Sequence, residues 1–216
     1  NENQRASLIL KILNKIYPTT PIPLKHNNKF TLLVSVLLSA QCTDVNVNNV
    51  TKKIYPKYNK PKHFVKLGRK KIETLIKSIG IFRVKAKSIY LMSKQLIENH
   101  NGRVPKSFEE LEKLPGVGHK TASVVVSQGF GRPAFPVDTH IHRLAQRWGL
   151  TNGKNVVQTE KDLKRLFPEK NWNKLHLQII FYGREYCKAR ECYGISCKIC
   201  TTCYPSRKKS LKTIKA

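Results

Sequence analysis

Leu111-Glu-Lys-Leu-Pro-Gly-Val-Gly-His-Lys-Thr-Ala-Ser-Val-Val125 is the stretch whose reading decides the rest of the chain. Ser107, with Glu110 three residues on, reads as a capping box opening a short helix that runs to Leu114. Pro115 cannot continue that helix. Gly116 and Gly118 flank one valine, so the chain can turn tightly with positive φ and bring bare backbone close to another molecule. A second helix starts near His119, and its unpaired N–H groups point into the turn. Converging amide dipoles of this kind hold an anion with no bulky side chain in the way. A lone Gly-x-Gly is more often an ordinary helix–helix turn. The full helix–LPGVG–helix pattern, over about residues 107–129, favours a phosphate-binding hairpin.

Outward from the hairpin, the periodic segments are helical. Leu8, Ile9, Ile12, Leu13 and Ile16 repeat at helical spacing until Pro18. Phe30 to Ala40 is an apolar run of 11 residues broken by Thr31, Ser35 and Ser39. A bilayer span takes about 20 residues, so a buried helix is expected there. Asp44 can cap a segment carrying Val47, Val50 and Ile54. Ile72, Leu75, Ile76 and Ile79 form a stripe closed by Gly80, and Ala86, Ile89, Tyr90, Leu96 and Ile97 form another ending at Asn101-Gly102. Further helices fit His119–Gln128, Asp138–Trp148, Val156–Phe167 and Trp172–Tyr186, and the tail Ser206–Ala216 reads as frayed. No alternating strand pattern appears. The expected class is all-α.

Lys and Arg number 41 against 13 Asp and Glu, a formal charge of +28. Such a surface suits a polyanion, because each neutralised phosphate releases condensed counterions. Lysine outnumbers arginine and Asn and Ile are abundant, as A+T-rich coding would also give, so charge alone leaves the partner open. No amphipathic helix sets its basic residues against an aromatic face, which disfavours a membrane surface. The N-terminus shows no charged leader before an apolar stretch. Five of the six cysteines fall within the 17 residues 187–203, which points to metal ligation over disulfides. The expectation is a soluble, cytoplasmic, nucleoid-associated monomer.

Three motifs bring a family into view. LPGVGHKTASVV resembles the helix–hairpin–helix of the endonuclease III superfamily of base-excision DNA glycosylases and AP lyases. PVDTHIHRLAQRWGL, Pro136–Leu150, resembles the segment that follows it, and LLSAQCTDVNVN, Leu37–Asn48, is similar to a further signature of the endonuclease III branch. The resemblance implies two helical domains with a DNA-binding cleft. One domain is about 22–132; the other joins 1–21 to 133–216 and carries an iron–sulfur loop. It also implies the activity: removal of oxidised pyrimidines from duplex DNA, with cleavage 3′ to the abasic site by β-elimination through a lysine Schiff base. The nucleophile of GVGxKT maps onto Lys120 and the carboxylate of VDTH onto Asp138. Gln41 and Ile81 match the residues that fill the hole left by an extruded nucleotide. Gly116, Val117, Gly118, His119, Thr121 and His140 are the remaining candidates for DNA contact.

The residues support these roles on their own chemistry. Lys120 lies in the first turn of its helix, where the positive dipole end disfavours an ammonium, and attack on a sugar carbon needs the neutral amine. Asp138 at the start of the next helix is favoured as a carboxylate, suited to an oxocarbenium-like sugar. A helix of about ten residues travels roughly 15 Å. The extended segment Phe130–Val137 can return that distance. Against these stand plainer readings: Lys120 as a solvated lysine, Asp138 as a simple cap, Gln41 as a surface glutamine, Ile81 as a helix-end hydrophobe.

In the family a [4Fe–4S] cluster is held by C-x6-C-x2-C-x5-C. Cys187, Cys197 and Cys203 match the first, third and fourth places and Gly194 falls on the second. With Cys200 in its stead, the expected ligands are Cys187, Cys197, Cys200 and Cys203, Cys192 being the rival. Four thiolates would equally suit tetrahedral zinc. Two other functions compete: a mismatch adenine glycosylase, which lacks this lysine and has a C-terminal recognition domain for which the chain leaves no room, and a non-catalytic hairpin DNA-binding module, which needs neither Lys120 nor Asp138.

Overall fold

The structure is a computed structural model and describes residues 1–216. It is all-α, with eleven α-helices and no strand. No helix is long and apolar enough to cross a membrane. The chain divides into two compact units, Ile22–Gly131 and a second joining Asn1–Pro21 to Arg132–Ala216.

In the Ile22–Gly131 unit, α2 (Lys29–Ser39) is the central element. Asn28 caps it by accepting from Thr31 N at 2.9 Å, and every residue from Phe30 to Leu38 is buried. A helix that is apolar all round needs cover on every side. α3 (Asp44–Ile54), α5 (Phe82–His100) and α7 (His119–Val124) supply it. Thr43, and not Asp44, caps α3: its Oγ1 accepts from Asn46 N at 3.3 Å, which leaves Asp44 in the first turn.

α4 (Pro61–Leu75) lies along α5 and is broken midway at Gly68, φ +74. Its apolar stripe does not run on as helix to Gly80. Ile76 and Ile79 are buried from the turn after α4, because packing and not a continued helix sets their spacing. α5 ends as its sequence predicts, on left-handed Asn101 and Gly102, with Gly102 N donating to Leu96 O at 2.8 Å. α6 (Phe108–Glu112) is capped by Ser107 Oγ, which accepts from Glu110 N at 3.2 Å. Only that half of the capping box forms in the contacts seen, since the Glu110 carboxylate pairs with Lys113 at 2.6 Å. α7 continues past Val124 as one π-helical turn, Val125–Gly129.

The other unit packs α1 (Glu2–Ile16), α8 (Thr139–Arg147), α9 (Val156–Leu166) and α10 (Trp172–Glu185) around Ile9, Leu13, Phe135, Trp148 and Tyr182, all buried. Trp148 and Tyr182 meet edge to face at 5.8 Å. α11 (Lys198–Cys203) has no sequence signature, because its six residues are too few for a periodic stripe. The tail expected to fray is tied down. Gln146 Nε2 donates to Ile214 O at 3.0 Å, Ile214 N donates back to Gln146 Oε1 at 2.8 Å, and Leu211 N donates to Tyr193 O at 2.9 Å.

Candidate active site and thiol loop

At the hairpin the two glycines differ. Gly116 has φ +80, and a Cβ there would stand 2.7 Å from Ser88 Cβ and 2.8 Å from its Oγ. Backbone conformation and close packing both demand glycine. Gly118 has φ −95 and ψ 178, extended backbone that any residue adopts, so positive φ holds only for Gly116. A Cβ on Gly118 would meet no protein atom within 4 Å. Gly118 therefore keeps open a bare stretch of backbone at the start of α7, where no side chain caps the helix. Val117 is buried at 6% exposure, its N–H donating to Leu114 O at 3.0 Å. The His119 ring is drawn back onto α6, 2.8 Å from Glu112 and stacked on Phe108. Lys120, the second residue of α7, is exposed; Thr121 is half-buried.

Gln41 and Ile81 share an uncommon backbone. Their φ values are +53 and +55, left-handed for residues that carry a side chain. That conformation costs an L residue about 1–2 kcal/mol, and β-branching makes Ile81 the stronger outlier. Both are exposed, Ile81 by 51%, so neither is compensated by burial. Such strain persists only where surrounding structure enforces it. Here Gln41 follows the end of α2 and Ile81 is the N-cap of α5.

Asp138 belongs to the second unit and caps α8, its Oδ1 accepting from Ile141 N at 2.8 Å. His140 is half-buried, with its Nδ1 3.3 Å from Arg143 Nη2.

The thiol loop follows α10. Cys187, Cys192, Cys197 and Cys200 are buried, with their sulfurs within 4.8 Å of one another. Cys187–Cys200 and Cys192–Cys200 are both 3.8 Å apart. Cys192, the rival, thus takes the place expected for Cys203. Two facts explain the change. Residues 198–203 are helical, and Cys203 ends that helix only half-buried while the other four cysteines of the loop are buried. Tyr193 and Gly194 are both left-handed, φ +47 and +82, and this turn folds Cys192 back onto the others. Gly194 could not be replaced by cysteine without strain. Arg147, buried, fixes the start of the loop: Nη1 donates to Lys188 O at 2.9 Å and Cys187 Sγ at 3.4 Å, Nη2 to Ala189 O at 2.9 Å. Four buried, converging thiols are a sound donor set for a thiophilic metal.

A family profile described as HhH-GPD superfamily base excision DNA repair protein matches residues 34–169. Endonuclease III of Bacillus subtilis is 43% identical over 210 residues, covering 97% of this chain and 96% of its own. The chain belongs to the endonuclease III family. Among solved structures, a trapped endonuclease III–DNA covalent intermediate shares 42% identity with a TM-score of 0.87, covering 91% of this chain and 93% of that one. A non-covalent endonuclease III–DNA complex fits equally well, with the same TM-score and identity.

Beside its endonuclease III motifs the chain carries residues that sequence reading passed over. Lys85 is one lysine among many by composition, yet it falls at i−4 from Ile89 on a buried stripe, and a charge there is the signal it offered. Arg147 had no comparable signature.

Proposed function

We propose that the chain is a bifunctional DNA glycosylase and AP lyase of base excision repair, with Lys120 as nucleophile and Asp138 as the carboxylate. One observation carries this reading. Lys120 stands exposed beside the bare backbone of Gly118, in a chain 42% identical to a protein trapped covalently on DNA. Gly118 and the N–H groups that follow it take a backbone phosphate, which positions the duplex without reading sequence. Gln41 and Ile81 enter the hole left when the damaged nucleotide is extruded: Gln41 offers donor and acceptor to the orphaned base, Ile81 acts as a wedge.

The neutral Lys120 amine attacks C1′ as the N-glycosidic bond breaks, and the base leaves with its electron pair. Asp138 stabilises the positive charge that develops on the sugar. The C1′–O4′ bond then opens, O4′ taking the proton that the amine gives up. The open-chain iminium loses a C2′ proton as the C3′–O bond breaks with the 3′ phosphate as leaving group, so that the strand is nicked. Oxidised pyrimidines are the substrates this reading assigns.

Cys187, Cys192, Cys197 and Cys200 would hold a [4Fe–4S] cluster, whose part is to brace the loop and not to react. The 3.8 Å sulfur spacing favours a second reading, one tetrahedral zinc. Bonds of about 2.3 Å from one ion give sulfur–sulfur edges of about 3.8 Å, whereas a four-iron core would spread the thiols apart. Iron and zinc content of anaerobically purified protein separates the two.

The test of function is borohydride trapping on a duplex with one thymine glycol. Wild type should form a covalent adduct, and Lys120→Gln should form none while binding the duplex. Adduct at wild-type yield from Lys120→Gln would remove the lysine assignment.

A further inference from the structure

Lys85 lies one turn into α5, 5% exposed. Its Nζ donates to Leu38 O at 2.9 Å and to Ala40 O at 2.6 Å. These carbonyls close the C-terminal end of α2, where acceptors go unpaired and the helix dipole is negative. Burial holds the ammonium below the ordinary lysine range. An apolar side chain in the stripe with Ile89, Met92 and Leu96 would fill the same space without desolvating a charge. It could not hold two carbonyls.

The position of those carbonyls matters. Ala40 O belongs to the peptide unit that also contains Gln41 N, so the 2.6 Å bond fixes the plane from which the left-handed turn at Gln41 begins. The Lys85 main chain donates to Ile81 O at 3.2 Å, in the first turn of α5. One residue therefore grips both strained positions. On the other side, Asn46 Nδ2 lies 3.2 Å from both Cys42 Sγ and Ser78 O, tying the residue after Gln41 to the turn before Ile81. Between the two ties the segments touch main chain to main chain: a Cβ on Gly80 would stand 3.5 Å from Gln41 O.

We infer that Lys85 is a positioning residue, with Asn46 its counterpart, locking Gln41 and Ile81 into one rigid wedge that enters the duplex as a unit. The inference rests on the hole-filling role given to Gln41 and Ile81 above. A rigid wedge helps only where there is a hole and an orphaned base to meet it, and that sets the experiment.

Lys85→Met keeps the stem and removes the ammonium. Single-turnover excision of thymine glycol is measured opposite adenine, and again opposite a one-nucleotide gap. The expected loss is about tenfold on the paired substrate, the scale of one charge-assisted hydrogen bond. On the gapped substrate it stays within about twofold, and in a Gln41→Ala/Ile81→Ala background Lys85→Met adds no more than about twofold, as coupled residues require. Equal losses on both substrates, or full additivity, would overturn the inference. If Lys85→Met does not fold by circular dichroism, Asn46→Ala carries the same comparison. A second readout needs no excision: 2-aminopurine opposite a tetrahydrofuran site changes emission when the wedge enters, and Lys85→Met should reduce that change by half or more at saturating protein. Unchanged emission would also overturn it. Wild type that perturbs 2-aminopurine but excises nothing would count against the proposed function and leave the wedge standing.

Discussion

At Asp138 one carboxylate oxygen already accepts Ile141 N at 2.8 Å, so the residue is a helix cap before it is anything else. This makes Asp138→Asn informative. Asparagine is as good an N-cap as aspartate, and the amide oxygen can keep the same bond. The unfolding midpoint and DNA affinity should therefore stay close to wild type. In the role proposed for Asp138 the loss is of a negative charge that stabilises the sugar, and removal of one such electrostatic group costs about 100-fold or more in rate. Single-turnover glycosylase kinetics check this. A rate equal to the parent would leave Asp138 as a cap alone.

The hairpin and the thiol loop are elements whose parts respond differently to small changes. Gly116→Ala puts a methyl 2.7 Å from Ser88 Cβ at φ +80, so it should destabilise the Ile22–Gly131 unit, read as a lowered melting temperature. Gly118→Ala strains nothing in the protein. It should fold normally and weaken binding to damaged and undamaged duplex alike, because the contact is to phosphate. A loss confined to lesion-bearing DNA would place the hairpin in base recognition instead. In the loop, Cys192→Ser should abolish metal loading, while Cys203→Ser should retain it. Metal content after purification decides, and the opposite outcome would return Cys203 to the ligand set.

At the scale of the whole molecule, two buried histidines tie stability to pH. His176 lies buried on α10, and burial pushes its pKa down to about 4. His142, buried on α8, is pushed down for the same reason. The unfolded chain takes up a proton near pH 6.5 while the folded chain resists until about pH 4. Stability from this source is complete above about pH 6.5 and is lost as pH falls toward 4, roughly 3 kcal/mol for His176. Thermal unfolding between pH 7 and 4 should show the midpoint falling, and His176→Gln should flatten that fall. A profile as steep in the variant as in the parent would assign acid sensitivity to other groups.

The sequence by itself determined the class and most of the chemistry, because those depend on local periodicity and on residue types at fixed spacing. Apolar stripes announced helices, Asn101-Gly102 announced the end of α5, and LPGVG with the VDTH segment announced the hairpin and the family. Tertiary structure alone decided what depends on distant chain segments. Cys192, the rival, converges with Cys187, Cys197 and Cys200 where a left-handed turn at Tyr193 and Gly194, not visible as a pattern, reverses the chain. Gly116 proved obligatory and Gly118 merely small because Ser88, 28 positions earlier, backs only the first. Lys85 looked like one charge among 41, and only packing brought its ammonium to carbonyls more than 40 residues away. Burial converts a side chain that composition counts as surface charge into a brace, and burial is a property of the folded chain.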